Sequence, residues 1–479
     1  LKAPPDWGYM GREAVIKLLE QRHKQHLAEL VEWTSIPSIS AQSQHVPDIQ
    51  RACDWAANYC RAMGMETEVH PTAGHPAIIA RHDAGSDATT VLLYGHYDVQ
   101  PPEPMELWES PPFVDNWGSG KAVGGNAEPV RDGMLFGRGA SDNKGQIFAH
   151  LAALRAWFEV AGGPPVNLRL LIEGEEEIGS PNLGEFVEAH ADELRAKWAV
   201  VSDGPMLSPE VPAISYGLRG LAYFQLDISA ASVDLHSGTH GGAVPNPATA
   251  LAEFIATLHN SDGSVNLPEF YDNVVPLEAA EREALAELNF SDDKYLNDLG
   301  APGLIGEEGY TTLERRWVRP TLEVNGIWGG YTGEGAKTVL PARASAKLSC
   351  RLVPRQDPNA IEAALRQACS ERLPDSVRRE LQVFAGAPAV LTSTDSPGVQ
   401  AAIRALKAGF GAEPAFTREG GTIPVVADFQ TVLGAEPLLI GFGLAEDMPH
   451  SPNERFRLEC FYGGIRTSGA LWDELAQLA

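Results

Sequence analysis

Five short stretches of this chain carry residue types that can bind a divalent cation or move a proton. The apolar run Val91 to Tyr94 leads into Gly95-His96-Tyr97-Asp98. Residues two apart in a strand share a face, so one of His96 and Asp98 can ligate while the other orients it. Gly137-Arg138-Gly139-Ala140-Ser141-Asp142 is a Gly-studded turn before a helical pattern. It lacks the phosphate-loop spacing and sets Asp142 at a strand-to-helix junction, where a capping residue also sits well. The run Leu168 to Ile172 ends in Glu173-Gly174-Glu175-Glu176-Glu177. Three adjacent carboxylates repel one another and lose hydration when buried, so they need either water or a strong positive charge such as a metal. Asp203 follows the apolar run Trp198 to Val201, and His450 sits in a loop between Pro449 and Pro452. Any one of these could be an ordinary turn. Together, two histidines and several acids at strand ends make a donor set for two metal ions sharing a bridging carboxylate.

The elements that must position them alternate. Apolar residues at helical spacing (Val15, Leu18, Leu19, Leu27, Leu30, Val31) predict an entry helix over 11–34, and a second helix spans 48–63. Strands at 66–70, 77–81, 90–94, 166–172 and 197–202, with helices at 143–160 and 182–195, read as a layered α/β domain whose chemistry lies at strand ends. From Ile214 the texture changes to a long strand (216–229), a helix (247–259), an acidic polar segment, two strands (321–331 and 342–353), a helix (358–372) and a strand (378–384). That βαββαβ order predicts an α+β fold, helices on one antiparallel sheet. The α/β texture resumes near Ser396, so the fold class is α/β with an inserted α+β domain. The boundaries fall at 1–212, 213–393 and 394–479, the outer two segments forming one domain.

Composition narrows the function. Among 479 residues, 64 acids against 37 bases give a net charge of −27, which argues against nucleic acid or anionic membrane as a partner. No apolar stretch is long enough to span a bilayer, and the start shows no basic region followed by an apolar one. The five cysteines are odd in number and far apart, which predicts a reducing, cytoplasmic setting.

The ordered motifs Gly95 to Pro101, Gly137 to Asp142, Glu173 to Ser180 and His450 to Glu454 resemble those of the co-catalytic dinuclear zinc peptidases that include carboxypeptidase G, aminoacylase and succinyl-diaminopimelate desuccinylase. Trp108 to Phe113, Asp234 to Gly238 and Pro341 to Lys347 bring the chain nearest to the cytosolic nonspecific dipeptidase and carnosinase branch. The resemblance implies that Asp142 bridges two ions, one also held by His96 and Asp203, the other by Glu177 and His450. It makes Glu176 the general base and Asp98 the carboxylate that orients His96. The frame Glu-Gly-x-Glu-Glu-x-Gly-Ser fixes the register, leaving Glu175 on a variable position that substitution should spare. His236 would stabilise the oxyanion in the partner subunit's site, making the protein a homodimer through the inserted domain, which would also act as a lid. Arg343 would clamp the substrate carboxylate, and Gly420, Gly421 and Thr422 would form a wall beside it. Asn143 stands where many relatives have a second Asp, a change expected to matter little, and a Gly-rich extension at 116–131 is expected to reshape the entrance.

The implied activity is hydrolysis of dipeptides or short peptides with a free C-terminal carboxylate by a water bridging two Zn²⁺ or Mn²⁺ ions, Co²⁺ being compatible. The ions would bring the water's pKa toward ~7 and polarise the scissile carbonyl. The same ligands would serve a deacylase of N-acyl amino acids, and a silent binding protein on this scaffold is a third reading. The presence of Glu176 and every ligand weighs against the last.

Overall fold

Four apolar strands, Thr90–His96, Asn167–Glu173, Trp198–Val201 and Glu436–Gly441, form the parallel centre of a large sheet. Their apolar residues are buried almost without interruption rather than alternately, as in a sheet covered on both faces. Ala77–His82 and Glu66–His70 extend one side antiparallel, and Ala213–Leu218 lies antiparallel beside Glu436–Gly441. The register pairs His96 with Glu173 and Tyr94 with both Leu171 and Val201, so the carboxyl ends of these strands share one edge. This computed structural model describes residues 7–114 and 129–478, and residues 116–128 of the Gly-rich extension lie outside the described residues.

Behind that edge runs the helix Lys144–Ala161, where Ile147, Phe148, Leu151 and Leu154 share one core with Leu93, Leu170, Phe461 and Leu471. Each side chain of this size contributes about 1.5–3 kcal/mol relative to exposure. Gly162 ends the helix at φ +80°, a left-handed cap that favours glycine. At its start, a Cβ on Gly145 would lie 1.9 Å from the Ala140 carbonyl oxygen, so only glycine lets the helix begin against the turn that carries Asp142.

The chain forms two compact units, one of Leu1–Tyr216, Thr392–Thr417 and Asp428–Ala479, the other of Gly217–Leu391 with Arg418–Ala427. In the second, Thr321–Gly329, Arg343–Leu352, Gly220–Ser229 and Arg378–Ala387 form an antiparallel sheet in that order. Alternate residues Phe224, Leu226, Ala346 and Leu348 meet Leu251, Phe254, Ile361 and Leu365 from the helices Pro247–Ala256 and Pro358–Arg372. The fold is thus a layered α/β unit and a βαββαβ unit, as the pattern of elements predicts.

Four local expectations change. The entry helix breaks at Arg22, where Arg22 reaches Glu159 and the His23 ring stacks on Tyr462 at 3.9 Å. The strand expected over 216–229 is two strands of different sheets, separated at Arg219, whose backbone N–H donates to Glu419. The helix expected over 182–195 is two short ones, Leu183–Ala189 and Ala191–Leu194. Arg418–Ala427, placed by sequence in the outer domain, belongs to the second unit because Arg219 donates to the Gly420 carbonyl, Arg351 to the Thr422 hydroxyl, and that hydroxyl to the Arg219 carbonyl.

Candidate active site

The carboxyl edge of the parallel strands gathers the sequence-predicted acids and imidazoles. His96 ends its own strand, Glu176 and Glu177 follow Glu173 in a single helical turn, Asp203 follows Val201, and Asp142 precedes the buried helix. Side-chain donors of His96, Asp142 and Asp203 fall within 4.8 Å of one another, as do those of Asp142, Glu177 and His450. Asp142 belongs to both groups. Its Oδ1 lies 3.3 Å from His96 Nε2 and its Oδ2 2.9 Å from His450 Nε2. Asp203 Oδ2 stands 3.7 Å from His96 Nε2, and Glu177 Oε2 3.2 Å from His450 Nε2. His96 Nε2 is buried without a hydrogen-bond partner, aimed among Asp142, Asp203 and Glu176. An orphaned imidazole nitrogen among carboxylates fits a divalent cation at that point.

Charge tells the same story. Burial and the neighbouring Asp142 push Asp203 up to about 6 and Glu177 up to about 7. Hydrogen bonds to Asp142 and Glu177 raise His450 to about 11. Although burial opposes it, the carboxylates of Asp142 and Asp98 beside the ring also hold His96 well above its ordinary value. The ring of acids therefore retains protons and imidazolium charge that bound cations would replace. Glu176 is raised well above the usual carboxylate range by burial and by Asp203, Glu177 and Asp142, so its affinity for a proton is increased.

Asp98 ties the two halves together. Its carboxylate lies 3.3 Å from His96 Nδ1 and accepts the backbone N–H groups of Glu176 at 3.2 Å and Glu177 at 3.0 Å. Gln100 donates to Glu177 Oε2 at 2.9 Å. Two expectations change here. Glu175 is buried, and both its oxygens accept from Asn182 Nδ2, so substitution there leaves a half-buried amide unpaired and is expected to cost stability. Asn143 is wholly buried, donating from Nδ2 to Ser202 O at 2.6 Å and Asp203 Oδ1 at 3.0 Å while its Oδ1 accepts from the His96 N–H at 3.4 Å. It thus links two residues of one candidate ion group, a role that its type and position did not announce.

The remaining predicted residues lie in the second unit. His236 is exposed on the short strand Leu235–His236, and its Nδ1 accepts from the Gly238 N–H at 3.0 Å. That bond assigns the neutral-ring proton to Nε2, which is left as a donor. Arg343 begins its strand, exposed. Gly420 and Thr422 are fixed by Arg219 and Arg351 as described, and Gly421 has open space at its Cβ position.

The model of peptidase family M20/M25/M40 matches residues 92–474. The chain belongs to this family. Among its relatives, the Cys-Gly metallodipeptidase dug1 of Schizosaccharomyces pombe is 30% identical over 98% of this chain and 99% of that protein. The human Beta-Ala-His dipeptidase is 31% identical over 97% of this chain and 93% of its own length. The crystal structure of the metallo-carboxypeptidase Sso-CP2 from Sulfolobus solfataricus superposes with a TM-score of 0.84 at 31% identity, covering 94% of this chain and 99% of that one.

Two outcomes follow from this geometry. In Asn143→Asp, carboxylate oxygens would face Ser202 O and Asp203 Oδ1, at a cost of about 1–3 kcal/mol. The introduced acid would have a folded pKa above its unfolded value, so its penalty should be small at acid pH, where it can donate a proton, and grow as pH rises. Thermal melts of metal-free variant and wild type across pH check this, and a pH-independent difference contradicts it. The second outcome concerns cations. Asp203 and Glu177 also have raised folded values, so their favourable contribution to the metal-free protein is lost as pH rises through about 6 and about 7. The melting-temperature gain from added Zn²⁺ or Mn²⁺ over chelated protein should therefore be larger at about pH 8 than at about pH 5.5. A gain that shrinks with pH would contradict it.

Proposed function

We propose that this protein is a metal-dependent dipeptidase, hydrolysing the peptide bond of dipeptides or short peptides with a free C-terminal carboxylate. The observation that carries this reading is Asp142, whose two oxygens each face one imidazole, with one further carboxylate in each group. His96, Asp142 and Asp203 would hold one divalent ion and Asp142, Glu177 and His450 the other, with zinc, manganese or cobalt compatible with this O/N set. Bound there, the ions supply Lewis-acid polarisation of the scissile carbonyl and a more acidic water. Glu176 accepts the proton of the attacking water and returns it to the leaving amine. Asp98 holds the Glu176 backbone and the far nitrogen of His96, keeping base and ligand in register. Arg343 would receive the substrate carboxylate through its planar fork, beside a wall formed by Gly420, Gly421 and Thr422. The names of the relatives, a Cys-Gly and a Beta-Ala-His dipeptidase, support small peptides as substrates.

The protein is proposed to act as a homodimer, with His236 Nε2 of one subunit donating to the oxyanion formed in the other. Support comes from the edge strand Thr321–Gly329 of the second unit, which exposes Val324, Ile327 and Trp328. An unpaired apolar edge of this kind is one that soluble proteins usually cover. A cytoplasmic setting is supported by five cysteines that are all buried and free. No helix among the described residues is long and apolar enough to cross a membrane.

Two measurements test this. Against a panel of dipeptides and N-acetyl amino acids with Zn²⁺ or Mn²⁺, wild type should hydrolyse the dipeptides in a chelator-sensitive way, and Glu176→Gln should lose about 10²–10⁴ in kcat while still binding metal. Full turnover by that variant would remove Glu176 from the mechanism, and preference for the acylated compounds would replace peptidase with deacylase. His236→Ala alone should lose about 10²–10³ in kcat. Mixing it with Glu176→Gln under subunit exchange should restore roughly a quarter of wild-type activity, since half the dimers are mixed and each has one intact site. No recovery would place His236 in its own subunit's site or outside catalysis.

A further inference from the structure

One buried acid outside the ligand set receives more donors than any ligand does. Glu454 is wholly buried, and its Oε1 accepts the backbone N–H groups of Ser141 and Asp142, both at 3.0 Å. Its Oε2 accepts Arg138 Nη1 at 2.8 Å and the Gly139 N–H at 3.0 Å, and its own carbonyl accepts the Gly137 N–H at 3.0 Å. One residue thus gathers the turn that presents Asp142. Arg138 is buried too and donates onward to the Pro101 carbonyl at 3.3 Å, beside the His96 to Asp98 segment.

The other end of the same loop carries His450. Met448, His450 and Asn453 have φ of +57°, +60° and +64°, a region that costs non-glycine residues roughly 1–3 kcal/mol each and persists only where the surroundings over-determine it. Asn453 supplies one restraint, accepting the Glu109 N–H at 2.8 Å and donating to the Leu107 carbonyl at 2.8 Å. Glu454 supplies the other. A buried ion pair is seldom a net source of stability, because desolvating both charges offsets their attraction. Its effect here is to lock the His450 loop to the Asp142 turn.

We propose that Glu454 is the positioning residue of the second ion group, setting Asp142 against His450 so that these two and Glu177 can hold one ion. This rests on the two-ion reading above. His96 and Asp203 depend on it less: they leave the ends of central strands and are joined by Asn143. In Glu454→Gln, an NH₂ group would face backbone N–H donors, and the Asp142 turn would part from the His450 loop.

The test is calorimetric titration of Mn²⁺ or Zn²⁺ into chelator-stripped full-length protein, with circular dichroism to verify folding. Wild type should bind two ions. Glu454→Gln should bind one of them about 10–100-fold more weakly, the cost typical of removing a partner that orients a ligand, and the other within about threefold of wild type. Equal affinities in variant and wild type overturn the proposal, as does an equal loss of both ions accompanied by lower metal-free stability, which is the signature of a merely structural pair. If Glu454→Gln does not fold, Arg138→Gln, which leaves three of the four donors to the carboxylate, should show the same selective loss in smaller measure. If neither folds, the pair is a folding determinant and the proposal fails. Wild type that binds no ion would instead sink the two-ion reading itself.

Discussion

The constraint on which this molecule turns is the crowding of negative charge at one sheet edge. Asp142, Glu176, Glu177 and Asp203 lie close enough that each raises the proton affinity of another or is itself held ionised by an imidazolium. The hydrogen bond from His450 and the adjacent His96 imidazole keep Asp142 far below the usual carboxylate range even though burial opposes ionisation. A fold tolerates this arrangement only when positive charge enters it, as protons when cations are scarce and as metal when they are present. Burial makes the arrangement costly and also makes it useful, since a low-dielectric edge strengthens every charge that works there.

Parallel strands explain why the charges meet. Strands in register with the same direction must end together, so acids that follow Glu173 and Val201 and the histidine that ends its strand reach one edge although more than a hundred residues separate His96 from Asp203. The helix Lys144–Ala161 adds the fourth element. It packs by apolar side chains deep in the core, and Gly145 lets its start press on the preceding turn, so Asp142 is carried on a rigid support.

Much of this was legible in the sequence, because strand ends and Gly-flanked acids are local patterns. The layered α/β unit, the βαββαβ order and the acids and histidines that cluster at the sheet edge could all be read from runs, spacing and resemblance. What could not be read depends on partners remote in the chain. Glu454 meets Ser141 across 313 positions, and no periodicity marks it as an acceptor. Asn143 looks like a harmless variant of Asp until its amide is seen between Ser202 and Asp203. Glu175 shares its composition with its two neighbours, yet it turns inward to Asn182 while they turn to the site. The break at Arg219 is likewise invisible, since the apolar alternation runs on through it while the chain changes sheets.

Asp98 and Glu454 together show how the protein fixes a site made of loops. Neither belongs to an ion group, and each spends its carboxylate on backbone N–H donors: Glu176 and Glu177 for Asp98, Gly139, Ser141 and Asp142 for Glu454. A carboxylate offers about four lone-pair directions, so one acid can set several peptide planes at once where a neutral amide would bring donors that clash. Asp98 fixes the turn that holds Glu176 against His96, and Glu454 fixes the turn that holds Asp142 against the loop of His450. The acids that would bind metal can then repel one another without moving apart, because their backbones are held by acids that do not.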